Sequence, residues 1–476
     1  MPIPDDRLRA ANDAPLRPDG DYVLYWMIAA RRPCDSFALD HALTRCRELG
    51  KPLLVFEPLR RGYRWAADRF HTFVHQGMHA NQRAFEAAGV RYLPYIEPEE
   101  DDDKGLLAAL AERACVVVTD RYPTYFLPRM VTSAAARLAD GGVRLEVVDS
   151  LGIVPLDATP KAFTVAHSFR RWVQKNVRPM LEVWPDREPL RGYDLGEASV
   201  PDVSRWPNAF ASLPPVIGGP GAVARRGGYD VAEERLADFL AHGLSRYADE
   251  RNHPDDSAAS GLSPWLHFGH IGAHRVIRAV LDHDDWVPEH LAPKANGKRH
   301  GWWGASKPVE AYLDEVLTWR EVGHVFAHHV PGHDRYDTLP DWARTTLAEH
   351  RTDPRTVYDF DVLDEARTDD EVWNAAQREL VQTGVMHNYL RMLWGKKLLQ
   401  WSATPEQALG RLIELNNRYA LDGRDPNSYS GIFWVFGRFD RAWGPERPIF
   451  GKVRYMTSAS TKRKLRLADY LARWSA

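Results

Sequence analysis

Between Leu415 and Trp434 the chain reads LNNRYALDGRDPNSYSGIFW, with Asn416 and Asn417 adjacent and Asp422, Arg424 and Asp425 close behind. A plain turn uses Asn, Asp and Gly, but it needs no such density of amides and charges ahead of an apolar Ile432-Phe433-Trp434 run. The segment therefore reads as one that holds something. In LDEVLTWREVGHVF, Glu315 and Trp319 stand four apart and share a helical face. A carboxyl beside an indole in a cleft can hydrogen-bond a ligand while the ring packs on it; the same pair also serves as a surface acid over a half-buried ring. Trp394 and Trp401 are two helical turns apart, about 10 Å along one face, with Arg391 one turn before them. Together with Trp373 they are either core knobs or a relay handing electrons to a redox centre, and spacing does not choose.

Two further stretches carry polar chemistry. After Tyr247, the loop Ser260-Gly261-Leu262-Ser263-Pro264 opens a helix, and hydroxyls and amides at a helix N-terminus make a phosphate cradle. An ordinary capped start with Pro in its first turn fits Ser263-Pro264 equally. His324, His328, His329 and His333, with Glu321 one turn before, form a loose metal-ligand set. That phrase runs into Pro331-Gly332 and no second Glu-x-x-His helix accompanies it. The expectation is no metal.

The elements that must position these groups differ between the two halves. Residues 1–150 alternate apolar runs (Tyr22 to Met27, Pro52 to Phe56, Val90 to Leu93, Cys115 to Val118, Leu145 to Val148) with amphipathic stretches, which predicts a doubly wound parallel sheet. The turn after the first run, IAARRP, has no GxGxxG, which argues against an ordinary dinucleotide site there. Residues 151–228, rich in Pro and Gly, read as a long interdomain connection, and residues 229–476 as an all-helical domain. Composition fits a protein of the reducing cytoplasm: Cys34, Cys46 and Cys115 form no CxxC, no run has the length of a membrane span, and the start MPIPDDRLRA has no apolar core of a signal peptide. Nothing resembles a coiled coil, so a monomer is expected. Net charge is only −3, yet nine Lys/Arg face two acids between Arg438 and Arg466, a local +7 that suits a polyanion as well as a solvated surface.

The phrases LSPWLHFG, WNAAQREL, GVMH, RMLWGKKLLQW, LNNRYALDGRDPNSYSG and RPIFGKVRYM, in that order, resemble class II cyclobutane pyrimidine dimer photolyases of the photolyase/cryptochrome superfamily. The likeness is dense over residues 240–465 and looser before them. It implies an FAD-binding helical domain behind an α/β domain that holds an antenna pigment, for which a deazaflavin is the family-based expectation. On this resemblance Asn416 faces the reactive edge of the flavin, Arg391 and Asp422 bracket it, with Gly423 beside them, and Tyr247 and Ser260 to Ser263 contact its phosphates. Glu315, Trp319 and Trp434 line the pocket for the flipped dimer; Trp373, Trp394 and Trp401 are the electron relay; Arg441, Trp443 and Arg454 hold DNA. The implied reaction is light-driven electron donation from reduced FAD into the dimer, with DNA as partner, and His324, His328, His329 and His333 are then expected to face solvent or DNA.

The chain departs from the family pattern at four places. His324-Val325 stands for a usual Asp-Asn, Asn417 for a usual Asp, the loop after Trp434 is one residue short and lacks a usual His, and Ile28 to Arg32 replaces a Gln-Arg-containing phrase. These keep two alternatives open: a cryptochrome-like light receptor, and a photolyase-fold flavoenzyme recruited to a small molecule. The intact Glu315/Trp319/Trp434 set and the basic C-terminal side favour repair.

Overall fold

The computed structural model describes residues 3–475. Its chain divides into two compact units. The first takes the chain as far as Pro160 together with Val177–Arg235 and Leu262–Ala279; the second takes Lys161–Asn176, Leu236–Gly261 and the chain from Val280 onward. The Pro- and Gly-rich stretch is thus shared between both units rather than standing apart from them, and it contains a helix, Ala166–Asn176.

The first unit is built on six strands: β1 (Leu8–Ala10), β2 (Tyr22–Trp26), β3 (Leu53–Leu59), β4 (Arg91–Ile96), β5 (Ala114–Asp120) and β6 (Leu145–Val148). Their order is β1-β6-β5-β2-β3-β4, all parallel except for the antiparallel edge strand β1. Every residue of β2, β3, β5 and β6 is buried, as expected where helices cover both sheet faces. The five apolar runs seen in the sequence are these parallel strands; β1 is too short and too polar to have signalled itself.

After β2 the chain runs outward to β3 and β4, then returns to place β5 on the other side of β2. Strand order reverses between β2 and β5, which is where open α/β sheets bind ligands. Here the protein fills that position itself. The Asp120 carboxylate, at the end of β5, accepts the consecutive amides of Ile28, Ala29 and Ala30 at 2.9, 2.7 and 3.0 Å and the Tyr25 hydroxyl at 2.8 Å. Three amides that could cradle a phosphate are satisfied internally, which accounts for IAARRP in place of a glycine fingerprint.

The second unit is helical, so the expected α/β-plus-α architecture is borne out. The helix Arg320–His329 lies along Pro426–Val435. Gly323 allows the approach: a Cβ there would sit within 3.0 Å of the Pro426 carbonyl, Ser430 Oγ and Asn427 Cα. Phe326 then meets Phe433 at 5.5 Å. No helix among the described residues is long and apolar enough to cross a membrane.

Candidate active site

The asparagine pair closes helix Pro405–Tyr419, and the Asp422–Asp425 turn leads into helix Pro426–Val435. Asn417, fully buried, ties the two together. Its Oδ1 accepts from Asn416 Nδ2 (3.1 Å) and the Arg424 amide (2.9 Å), its carbonyl accepts from Arg424 Nη1 (2.7 Å), and its Nδ2 donates to the Tyr429 hydroxyl (3.1 Å). Asp at this position would keep the accepting oxygen and lose the bond donated to Tyr429. The Asn417 departure is thereby absorbed by its surroundings.

Asn416 spends both Nδ2 hydrogens, on Asn417 Oδ1 and on Ser428 Oγ at 2.7 Å, and is 2% exposed. Its Oδ1 accepts nothing from the described residues, so the held amide presents one acceptor. Gly423 lets the turn close, because a Cβ there would meet the Ala420 and Asn416 carbonyl oxygens at 2.9 Å. One helix away, Arg391 grips Asp422 through two bonds of 2.9 and 3.2 Å. Bidentate geometry fixes the guanidinium plane as well as its charge, and the pair joins residues 31 apart in the chain, as the family resemblance implies.

Glu315 and Trp319 lie in the stretch Asp314–Trp319, which is a π-helical widening between Lys307–Leu313 and Arg320–His329 rather than plain α-helix. Such widenings concentrate at functional sites because they turn side chains off the regular helical faces. Both side chains remain partly exposed. Burial, reinforced by the adjacent Asp314 carboxylate, pushes the Glu315 carboxyl up to about 7, against the pull of Arg251, 3.7 Å away. Asp314 itself is held by Arg170 at 2.5 and 3.0 Å.

Trp434, half-buried near the end of helix Pro426–Val435, meets cations rather than rings: Lys396 Nζ lies 4.6 Å and the Arg454 guanidinium 5.6 Å from its ring centre. Arg441, Trp443 and Arg454 form one cluster organised by Asp440. That carboxylate accepts from Arg454 Nε (2.7 Å), Trp443 Nε1 (3.2 Å) and the Arg441 amide (2.9 Å), and both guanidiniums flank the Trp443 ring at 4.0 and 4.5 Å. The sequence reading counted Asp440 only as charge; its role as the hub depends on a loop that folds back on itself. The one-residue-short loop is anchored by Arg438, buried over Phe326 at 4.0 Å and donating to the Thr338 carbonyl at 2.6 Å.

The three indoles do assemble. Trp373 stacks on Trp394 at 6.4 Å with planes 7° apart and meets Trp401 edge-on at 5.5 Å, so Trp373 stands between the pair seen in the sequence. Trp373 Nε1 donates to the Trp394 carbonyl, and Trp394 Nε1 to Gln377 Oε1. Tyr358, partly exposed, meets Trp401 edge-on at 5.2 Å beyond them.

Tyr247 is buried against Tyr312 (5.0 Å) and Phe239 (5.8 Å). Ser260 to Ser263 spans the boundary of the two units, with Gly261 and Ser263 exposed and Pro264 in the first turn of Ser263–His267. The expectation that the histidines face solvent or DNA fails for His324: it is 3% exposed and its Nδ1 bonds the Arg320 carbonyl at 3.0 Å, a core position because Gly323 draws this helix against its neighbour. Among the described residues no group of three or more His, Cys, Asp or Glu is arranged to hold a metal ion.

No family model matches the chain. The fold is that of solved photolyase and cryptochrome structures: a bacterial class III photolyase from Agrobacterium tumefaciens (TM-score 0.69, 18% identity, 96% of this chain and 86% of that one) and a Synechocystis cryptochrome (TM-score 0.66, 15% identity, 95% and 88%). At the level of sequence the chain is 33% identical to the deoxyribodipyrimidine photo-lyase of Methanothermobacter thermautotrophicus, over 98% of each chain. It is 32% identical to that of Oryza sativa subsp. japonica, over 98% of this chain and 90% of the relative. The chain belongs to the deoxyribodipyrimidine photo-lyase family.

Proposed function

We propose that this protein repairs cyclobutane pyrimidine dimers in DNA with light, as a class II photolyase acting as a cytoplasmic monomer. The observation that carries the reading is the assembly, in one helical unit, of a held amide beside a bidentate Arg–Asp pair, three contacting indoles, and a cationic aromatic edge at Trp434. The residues fit FAD. Asn416 Oδ1 would accept from a protonated ring nitrogen, Arg391–Asp422 would fix charge beside the ring, Gly423 would keep closed the turn that carries Asp422, and Tyr247 with Ser260, Gly261, Leu262 and Ser263 would hold its phosphates. When bound, reduced FAD would supply the light-driven electron chemistry, which needs no net oxidation of the dimer.

The chain's own residues position and stabilise. Trp319 and Trp434 clamp the flipped dimer, each stacked contact contributing about 1–3 kcal/mol. Glu315 in its protonated form donates to a pyrimidine carbonyl and supports the charge developing there. Arg441, Trp443 and Arg454 hold the flanking strand, and extrusion is cheaper for a lesion that already stacks poorly. Trp373, Trp394 and Trp401, in contact through Trp373, would pass electrons from ring to ring toward the flavin. In the α/β unit, where Asp120 fills the amide nest, a flat deazaflavin antenna is assigned to the aromatic rim of Tyr63, Trp65, Tyr125 and Phe126, at which Trp65 and Tyr125 stack at 5.9 Å.

The test is repair itself. Reduced, oxygen-free protein mixed with dimer-containing oligothymidine should restore the thymine absorbance under blue light and not in the dark. A flavin-loaded protein that restores none in either condition would overturn the reading.

A further inference from the structure

Helix Asn388–Gln400 carries two consecutive lysines, each over a different tryptophan. Lys397 lies 5.2 Å from the Trp401 ring and pairs with Asp370 at 3.1 Å, an ordinary neutralised arrangement. Lys396 is different. Its side chain is fully buried, its Nζ donates to the Val435 carbonyl at 2.6 Å, and the same Nζ lies 4.6 Å from the centre of the Trp434 ring. Lysine is almost never fully buried without a counter-ion, and here its hydrogen-bond acceptor is a carbonyl, not a carboxylate. The charged groups facing it are Asp440, which favours the ammonium, and Arg454, which opposes it, both from the stretch after Trp434; helix Pro426–Val435 presents only the indole and the carbonyl.

We propose that Lys396 is a positioning residue for the lesion clamp: its buried ammonium pins the Trp434 ring by a cation–π contact and the following turn by the Val435 carbonyl. This rests on the repair reading above, which makes Trp434 a wall of the dimer pocket. Burial brings the Lys396 ammonium down to about 7, so its charge is present below neutrality and lost as pH rises through it. The clamp therefore tightens in its charged state and relaxes in its neutral one.

The experiment compares flavin-loaded protein binding to dimer-containing and undamaged oligothymidine in the dark, from about pH 6 to pH 8.5. Undamaged DNA corrects for general electrostatics. Glu315→Gln serves as background, because Glu315 titrates in the same window. In Glu315→Gln the preference for dimer should fall about three- to tenfold as pH rises through 7. Adding Lys396→Met should leave a low preference that no longer varies with pH. A pH-independent preference in Glu315→Gln, or an unchanged profile on adding Lys396→Met, overturns the proposal. Should Lys396→Met fail to retain flavin, the pH series on the lysine-bearing protein decides alone. A native chain that never prefers dimer over undamaged DNA would overturn the repair reading instead.

Discussion

Asn417 shows how one side chain absorbs a departure from a family pattern. Its oxygen does what an aspartate oxygen would do for Asn416 and Arg424, and its nitrogen adds a bond to Tyr429. The polarity of Asn416, with its amide nitrogen spent and its oxygen presented, follows from that neighbour. Glu315 gives a prediction at the same scale. Because burial raises its carboxyl to about 7, the donating protonated form predominates below that pH and disappears above it. Light-driven repair by pre-reduced enzyme should decline as pH rises from about 6 to 8; in Glu315→Gln, a permanent donor, the Glu315 share of that decline should vanish, which rate-versus-pH profiles of the two proteins would show. Glu315, Trp319, Asn416 and the Arg391–Asp422 pair were legible because each sits in a dense phrase. Lys396 and Asp440 were not, since a lysine in a helix and an aspartate in a loop reveal neither burial nor partner.

At the scale of elements, the π-helical widening and the two-helix contact at Gly323 decide where Glu315, Trp319 and Trp434 stand, and no residue spacing announces either. The cluster of three indoles, proposed as a relay, belongs here as well, because it is made by two helices facing each other. Trp373→Phe replaces the middle indole with a phenyl ring that is far harder to oxidise, so photoreduction of oxidised flavin should slow at least tenfold while repair by chemically reduced enzyme stays within about twofold. Transient absorption and the repair assay, run on the same preparation, would check both halves of that statement. In the sheet, Asp120 alone satisfies three amides and a tyrosine hydroxyl. Asp120→Ala strands those buried donors and should cost about 3 kcal/mol or more of stability, read as a lowered urea midpoint.

Over the whole molecule the chain is near-neutral, yet the stretch from Arg438 to Arg466 carries a local excess of cations. The local +7 from Arg438 to Arg466 includes Arg441 and Arg454, whose guanidiniums lie 4.5 and 4.0 Å from the centre of the Trp443 ring. Affinity for undamaged duplex should fall with salt, and Arg441→Ala should reduce the slope of log K against log salt by about 1 while weakening all sequences alike; titrations at three or four salt concentrations would measure it.

The sequence by itself determined the class of each half, and its likeness to a family named the residues proposed to face flavin and lesion. Strand and helix periodicity are local, and a family's polar phrases are contiguous. Only the tertiary structure decided that Asp120 fills the switch-point nest, that Trp373 lies between Trp394 and Trp401, that His324 belongs to the core, and that a buried ammonium lies against Trp434. Each of these is a contact between residues distant in the chain. Its energy comes from burial and from which partner is in reach, quantities that a linear order of residues does not contain.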